Sequence, residues 1–487
     1  MRMAPNRTRC LVPPSCLALL CVLSLGCAAG PASGSFSAPA AFYDYTVLVD
    51  PEASPPVATV TLEITGLARS PILAFPPGST FAKLESPLID GPVVHSGAPG
   101  ELFPTDRRFA WRLESGPRVI VSWRVPHLFR EHSLVREASD EYEFPFIKRD
   151  HALLYTPTLL LLPDESAACR VRFVGPDGWR VRTPWGGRGA TFRGTTAQLG
   201  DDYVLVGDWT ERTVEVGEFV GTIAFAPDIA ALADRVADRI AEVLILEFEM
   251  FGVEARGSYL VVCGPSPGAQ LGGSPKRHSM VLAVDPALVA RPPEWLEIEI
   301  VHLVAHEFHH TWTNGKPPLP DELRWYGEGF TDYMAWLICA RLGLFDREAW
   351  HRQVASILEE VRGLGARKEV SLVEAGGDLF FEGGDAYSLV YGGGLLVALE
   401  LDLALSEAGL PGGLEGFMRG FNNDPAIIER APTLEEFLAA VEGVLGSTFR
   451  ELLERRVATV GGLDLDRRNP LLLDPNSLWV HTVERTH

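Results

Sequence analysis

Two histidines four residues apart, with a glutamate between them, constrain this chain more than anything else in it: His306-Glu307-Phe308-His309-His310. On a helix this spacing puts His306 and His310 one turn apart on one face, where two neutral imidazoles can hold a zinc ion. Glu307 then stands beside the metal, placed to take a proton from a water there. The surrounding stretch, Trp295 to Trp312, is apolar and helical in pattern. Eighteen residues past His310, a second helix-like segment, Trp325 to Leu342, offers Glu328 as a third ligand. Two imidazoles and one carboxylate leave one tetrahedral position open, the donor set of a catalytic rather than a structural zinc. The chain must therefore fold so that two helices meet around one ion.

Other residues fall into place around that ion. Asp332 lies one turn after Glu328 on the same face, where it can accept the second ring N–H of a ligating histidine. An oxyanion forming in such a site needs a donor besides the metal. Tyr391, in Ala386-Tyr387-Ser388-Leu389-Val390-Tyr391-Gly392, is the candidate, with Tyr387 the alternative and core packing the plainer role for both. His302, one turn before His306, could approach the site but reads more readily as a satisfied core histidine or one that supports the ligands from behind, and His309 points elsewhere. Arg324, Trp325 and Tyr326 read as cleft wall or as packing.

With 487 residues the chain is too long for one ordinary core, so two or three domains are expected. A hydrophobic fraction of 46% and a charged fraction of 22% fit a soluble globular protein, and a formal charge of -21 excludes nucleic acid as a partner. Residues 1–29 read as an export signal: Arg2, Arg7 and Arg9 precede a short apolar run from Cys16 to Leu25. Cleavage after Ala29 would release a soluble protein, whereas cleavage before Cys27 would leave a lipid-anchored one. The expected location is thus periplasmic, outer-membrane or extracellular, with membrane contact only through Cys27. No later run has the length of a membrane span. Cys169, Cys263 and Cys339 remain outside the leader and read as buried free thiols.

After a linker at 30–41, residues 42–220 show short strands, alternating or apolar: Tyr45–Val49, Ala58–Ile64, Arg118–Trp123, Cys169–Phe173 and Tyr203–Val206. They predict an antiparallel, sandwich-like β-domain. Residues 221–463 form the second domain, with a helix capped by Asp228 and running to Phe251, strands at 258–263 and 279–284, the histidine helix ending near Asn314-Gly315, and helices thereafter. Ser279 to Val284 could offer its edge to an extended peptide. Residues 464–487 are a tail. The fold class is α+β.

The motif and its surroundings carry a family resemblance. His306-Glu307-Phe308-His309-His310-Thr311-Trp312 with Glu328-Gly329-Phe330-Thr331-Asp332-Tyr333 resembles the glycyl aminopeptidases, gluzincin metallopeptidases related to thermolysin and to aminopeptidase N. The likeness is close over 295–345 and looser over 380–405. It implies a thermolysin-like, mostly helical catalytic domain behind the β-domain, one zinc on His306, His310 and Glu328, Glu307 as base, Asp332 behind a ligand, and Tyr391 as oxyanion donor. The substrate it implies is a peptide or protein. Three departures stand out. The family usually ends in a PDZ domain, which residues 464–487 are too short to form. Gly392-Gly393-Gly394 lacks the family's lysine after the tyrosine. The family's strand before the histidine helix carries a Glu that grips a substrate's free amine, but here it reads Gly272-Gly273-Ser274-Pro275-Lys276-Arg277-His278. Gly272 and Gly273 remain as cleft residues, while a basic run stands where a carboxylate is expected. Lys276 or Arg277 would meet a substrate carboxylate, or the run is a solvated loop. The expected activity is a zinc peptidase, aminopeptidase ahead of endopeptidase, with a non-hydrolytic peptide-binding protein or a non-peptide hydrolase as the rivals.

Overall fold

The computed structural model describes residues 41–76, 89–97, 101–105, 108–127, 142–186, 190–251, 256–266, 271–313, 319–428 and 430–463, with positions 479 and 483. The leader, most of the linker and tail, and the end of the histidine helix at Asn314-Gly315 lie outside the described residues.

The front half follows from period-two alternation. In Phe42–Asp50, Tyr43, Tyr45, Val47 and Val49 are buried while their neighbours are not, which turns one face of the strand into a core. It lies in a six-stranded sheet ordered Thr191–Thr195, Ala168–Val174, Phe42–Asp50, Val57–Leu67, Gly116–Pro126 and Asp90–Ser96. The pairing is antiparallel except between Phe42–Asp50 and Ala168–Val174, which run parallel. A four-stranded sheet made from Leu162–Pro163, Ile72–Ala74, Arg108–Arg112 and Glu101–Thr105 completes this layer.

A third sheet, Arg180–Arg182, Tyr203–Gly207, His151–Tyr155 and Phe146–Ile147, joins the two halves. Every residue of its two long strands is buried, because each face meets a different core. Leu154, Val204 and Val206 pack into the front core; Leu153, Tyr155, Tyr203 and Leu205 pack into the rear one. Continuous apolar strands are what such a position requires.

The rear half is built on a five-stranded sheet ordered Thr210–Val216, Glu218–Phe225, Arg256–Pro265, Ser279–Val284 and Gly272–Pro275. Its first strand lies in the sequence before residue 220 yet pairs along its length with Glu218–Phe225. Ser279–Val284 offers no edge to a peptide, contrary to the sequence expectation. It is paired on both sides and wholly buried, and the free edge belongs to Gly272–Pro275. Helices Ala233–Phe251 and Leu296–Thr313 pack into the same core as the sheet, and Tyr259 from the strand meets Phe308 edge-on at 5.0 Å. Thr331–Arg341, Arg347–Gly363, Gly394–Glu407, Gly413–Asn422, Leu434–Leu445 and Ser447–Ala458 supply the helical remainder.

One helical stretch corrects the reading on membrane spans. Asp385–Glu407 is long and apolar enough to cross a bilayer by length and composition, but 67% of its most apolar window is buried inside the molecule. Its apolarity is that of a core helix surrounded by others. Cys169, Cys263 and Cys339 are buried free thiols, as expected.

Candidate metal centre

Five consecutive residues of the histidine helix are buried, and they face four different neighbours. Phe308 points into the aromatic core with Tyr259, Phe219 and Phe248. His309 turns away from the site and meets Glu247 of the helix Ala233–Phe251, its Nδ1 3.0 Å from Oε2; the indole N–H of Trp312 donates to the same oxygen at 3.1 Å. Glu307 faces the edge strand. His306 and His310 share the remaining face and look towards Glu328.

The three donors converge. His306 Nε2 lies 3.2 Å from His310 Nε2 and 3.5 Å from Glu328 Oε2, and His310 Nε2 lies 3.6 Å from that oxygen. Donors about 2.0–2.1 Å from a tetrahedral zinc sit roughly 3.3–3.4 Å from one another, so the spacing fits one ion held by these three groups. Together they are the metal-binding cluster found among the described residues.

The charges at the centre act strongly on one another. Burial disfavours the charged form of His306, yet hydrogen bonds to Asp332 and Glu328 overcome it and raise its pKa to about 10. His310, buried beside His306, is pushed down to about 3. Burial would raise Glu328, but the neighbouring charges of His310 and His306 and hydrogen bonds from His306 and Tyr391 hold it at about 2. Two largely buried carboxylates facing two imidazoles favour a bound cation, and ligation of a metal requires both imidazoles deprotonated.

Asp332 sits where the spacing places it. Its Oδ1 is 3.5 Å from His306 Nδ1 and 3.0 Å from His302 Nε2, so one carboxylate bridges both histidines. Burial notwithstanding, His302 and His306 hold Asp332 well below the usual carboxylate range. His302 stacks on Trp336 at 3.8 Å and stays behind the metal face rather than on it.

Two local departures from the α-helix aim Glu328 and Tyr391. Tyr326–Phe330 and Leu389–Gly393 are each a π-helical turn, in which an extra residue per turn rotates side chains off the regular helical face. The backbones of the two segments touch: a Cβ on Gly329 would lie 2.4 Å from Gly394 Cα, and one on Gly394 would lie 2.3 Å from the Trp325 carbonyl oxygen. This close crossing explains Gly394, the last glycine of the run after Tyr391; Gly392 and Gly393 instead make room for Val361 and Leu372. Tyr391 stacks on His306 at 5.7 Å, and burial, followed by the Glu328 charge, pushes its pKa far up, so its hydroxyl keeps its proton. Tyr387 lies one ring further out, 4.6 Å from Tyr391.

Gly273 has a plain steric role. A Cβ there would lie 2.3 Å from Glu307 Oε1, so the glycine lets the edge strand close on the glutamate. Gly272 is in the same strand, half-buried. The basic run after it is only partly solvated: Arg277 is exposed, while Lys276 is largely buried and His278 half-buried. Lys276 Nζ is 3.4 Å from Glu143 and lies over the Tyr155 ring, Arg277 donates to the Ala197 carbonyl, and His278 meets the fully buried Asp202 at 3.0 Å. These contacts tie the end of the edge strand to the third sheet and its surroundings. Trp325 and Tyr326 are fully buried packing residues.

Glu247 escaped the sequence reading, whereas His302 takes the supporting place behind a ligand that the sequence allowed it. The signal for Glu247 was present: it falls at a core position of its helix, in register with Val243, Met250 and Phe251.

A sequence model of one peptidase family matches part of the chain. Residues 299–389 match the M61 glycyl aminopeptidases. That stretch holds His306, Glu307, His310, Glu328 and Asp332 and stops two residues short of Tyr391. Among curated proteins, a search finds no significant match. The fold is widely shared among solved structures. An aminopeptidase N family protein from Idiomarina loihiensis superposes with a TM-score of 0.70 at 18% identity, covering 86% of this chain and 76% of its own. An M1 zinc metallopeptidase from Deinococcus radiodurans, bound to a Tyr-Ser-Ala substrate in a mutant form, gives 0.51 at 16% identity, over 87% and 95%. The chain has the two-domain fold of these proteins: a β-sheet domain in front and a helical domain behind.

Proposed function

We propose that the protein is an exported zinc metallopeptidase, with aminopeptidase action ahead of endopeptidase action. The observation that carries this is the convergence of two imidazoles and a carboxylate at tetrahedral spacing, with Glu307 beside them and Tyr391 opposite. The peptidase-family match over 299–389 supports the same reading. His306, His310 and Glu328 would hold one zinc ion, which when bound polarises a carbonyl and acidifies water. Asp332 fixes the ring of His306 so that its Nε2 faces the centre.

Glu307 takes a proton from the attacking water and returns it to the leaving amine. Burial next to the edge strand holds it in one place and keeps bulk water from competing. Tyr391, protonated at every physiological pH, donates its O–H to the carbonyl oxygen as negative charge builds there. The leader at 1–29 supports export, either as a soluble protein or anchored through Cys27, and the acidic charge supports peptides rather than nucleic acid as partners.

One observation favours an endopeptidase as the second reading. The edge strand brings no carboxylate to a substrate's free amine, and Glu143 at its end already has the ammonium of Lys276. The deciding experiment is mass-spectrometric cleavage of matched peptides with free and acetylated N-termini, each with and without a chelator. Chelator-sensitive trimming of the free peptides alone is expected. Internal cleavage of both makes the enzyme an endopeptidase. Retained zinc with no cleavage of either refutes the peptidase reading and leaves a peptide-binding protein.

A further inference from the structure

The rings around Tyr391 do not stop at Tyr387. Phe380 stacks on Tyr387 at 5.0 Å and is nearly parallel to Tyr391 at 6.2 Å, so a ladder of four rings runs Phe380, Tyr387, Tyr391, His306 from the surface to the metal centre. Its outer end carries unusual apolar exposure. Among the described residues nine large hydrophobics are exposed, and three of them, Leu379 at 36%, Phe381 at 65% and Tyr387 at 37%, fall in this short stretch. Solitary exposed apolar residues need no explanation, but a cluster continuous with a catalytic site marks a binding surface.

The surroundings hold these rings in place. The Arg324 guanidinium lies over both, 4.8 Å from the Phe380 ring and 4.5 Å from the Phe381 ring. It also donates to the carbonyl oxygens of Gly376 and Gly377 and to Asp321. Arg324 directly precedes the segment that delivers Glu328, so the rings are pinned to the same piece of chain as a metal ligand. After the Phe pair, Gly383 and Gly384 adopt φ of 78° and 68° with ψ of -160° and -140°, a conformation open essentially to glycine alone. A Cβ at either would meet nothing within 4 Å. The glycines are therefore there for the turn, which folds the Phe pair back beside Tyr387.

We propose that Phe380 and Phe381, held by Arg324, form an aromatic wall of the substrate cleft that receives a large apolar or aromatic side chain flanking the scissile bond. This rests on the peptidase reading above and adds a specificity to it. An exposed, preorganised ring surface costs nothing to order and gains contact area only when an apolar side chain covers it. Small or charged residues gain little there.

The test uses peptides that differ only in the residue on one side or the other of the cleaved bond: Phe, Leu, Gly or Asp. The wild-type protein should prefer Phe or Leu over Gly by roughly 10–100-fold in kcat/KM at one of these positions. Phe381 is mostly exposed, so Phe381→Ala leaves no core cavity; it should cut that preference about tenfold while cleavage of the Gly peptide stays within about twofold. Binding of the Phe and Gly peptides to the Glu307→Gln protein, measured by calorimetry, reads the wall without turnover. A tighter Phe peptide there, lost on adding Phe381→Ala, supports the wall even if no peptide is ever cleaved and the peptidase reading fails. No side-chain discrimination in either assay, or a preference that Phe381→Ala and Phe380→Ala both leave intact, overturns it.

Discussion

The substitution Gly273→Ala should cripple turnover without touching the metal. An added Cβ would lie 2.3 Å from Glu307 Oε1, 2.6 Å from Cγ and 2.7 Å from Cδ, where 3.4 Å marks an ordinary contact. Three atoms of the side chain are in the way, so no small rotation of the carboxylate alone relieves the clash. Either Glu307 retreats by about 1 Å or the edge strand lifts from its register with Ser279–Val284, in which Gly273 faces Leu282. A misplacement of about 1 Å in a catalytic group costs on the order of 100-fold in rate, or about 2.7 kcal/mol on the barrier. The assay is steady-state peptide cleavage beside zinc content by mass spectrometry and a thermal melt. The expected result is kcat down about 100-fold with full zinc content and an almost unchanged melt. Glu307→Gln should lose about 10²–10⁴-fold and also keep its zinc. The double variant should be no slower than Glu307→Gln alone, because both changes act through one group. Losses that multiply in the double variant, or full activity in Gly273→Ala, would refute the idea that this glycine exists to seat the base.

Four further outcomes are expected. Tyr391→Phe should lower kcat roughly 10²–10³-fold with KM nearly constant, since its O–H is needed only as charge develops on the substrate. Asp332→Asn should weaken zinc affinity about 10–100-fold, read by competition with a chromogenic chelator, because His306 loses the carboxylate that orients it. Gly329→Ala should destabilise the fold by about 3 kcal/mol or more, with a visible drop in melting temperature, because its Cβ meets backbone at 2.4 Å and no rotamer can yield. Acidification should destabilise the protein partly through His151. Burial lowers its pKa against the opposing pull of Asp150, so the folded state takes up a proton less readily than the unfolded one. That contribution is complete above the ordinary value of 6.5 and is lost as pH falls below it, by at most about 1.4 kcal/mol per pH unit. Denaturant titrations of the wild type and His151→Gln between pH 7.5 and 5 should show the smaller slope in the variant.

The rear half also shows how one helix can serve several purposes. His306 and His310, Glu307, Phe308 and His309 form a single buried run, yet each group of them meets a different element. The pair Glu247–His309 closes off the side away from the metal face, with His309 Nδ1 against Glu247 Oε2 and both side chains fully buried. A helix so enclosed cannot shift without disturbing every contact, which keeps His306, Glu307 and His310 in fixed relation to one another.

Sequence alone determined the donors of the centre and the elements that carry them. His306 and His310 are related by one helical turn, and so are Glu328 and Asp332, which makes their shared faces a matter of local geometry. Four of the five strands named in the front half were legible for the same reason, since period two is written residue by residue, and Tyr203–Val206 was legible as a short continuous apolar run. What tertiary structure decided concerns partners far apart in the chain. Ser279–Val284 reads as a strand in isolation, but only the sheet shows it to be interior, with Gly272–Pro275 at the edge. The run Lys276-Arg277-His278 reads as a basic patch, but only the fold shows that Lys276 meets Glu143 and His278 meets Asp202, leaving Arg277 exposed. Gly273 and Gly394 read as flexible residues, yet they are there because Glu307 and Trp325 approach too closely for a side chain. Periodicity fixes the conformation of a segment and the face it buries; which other segment covers that face is set by packing the whole chain around one core.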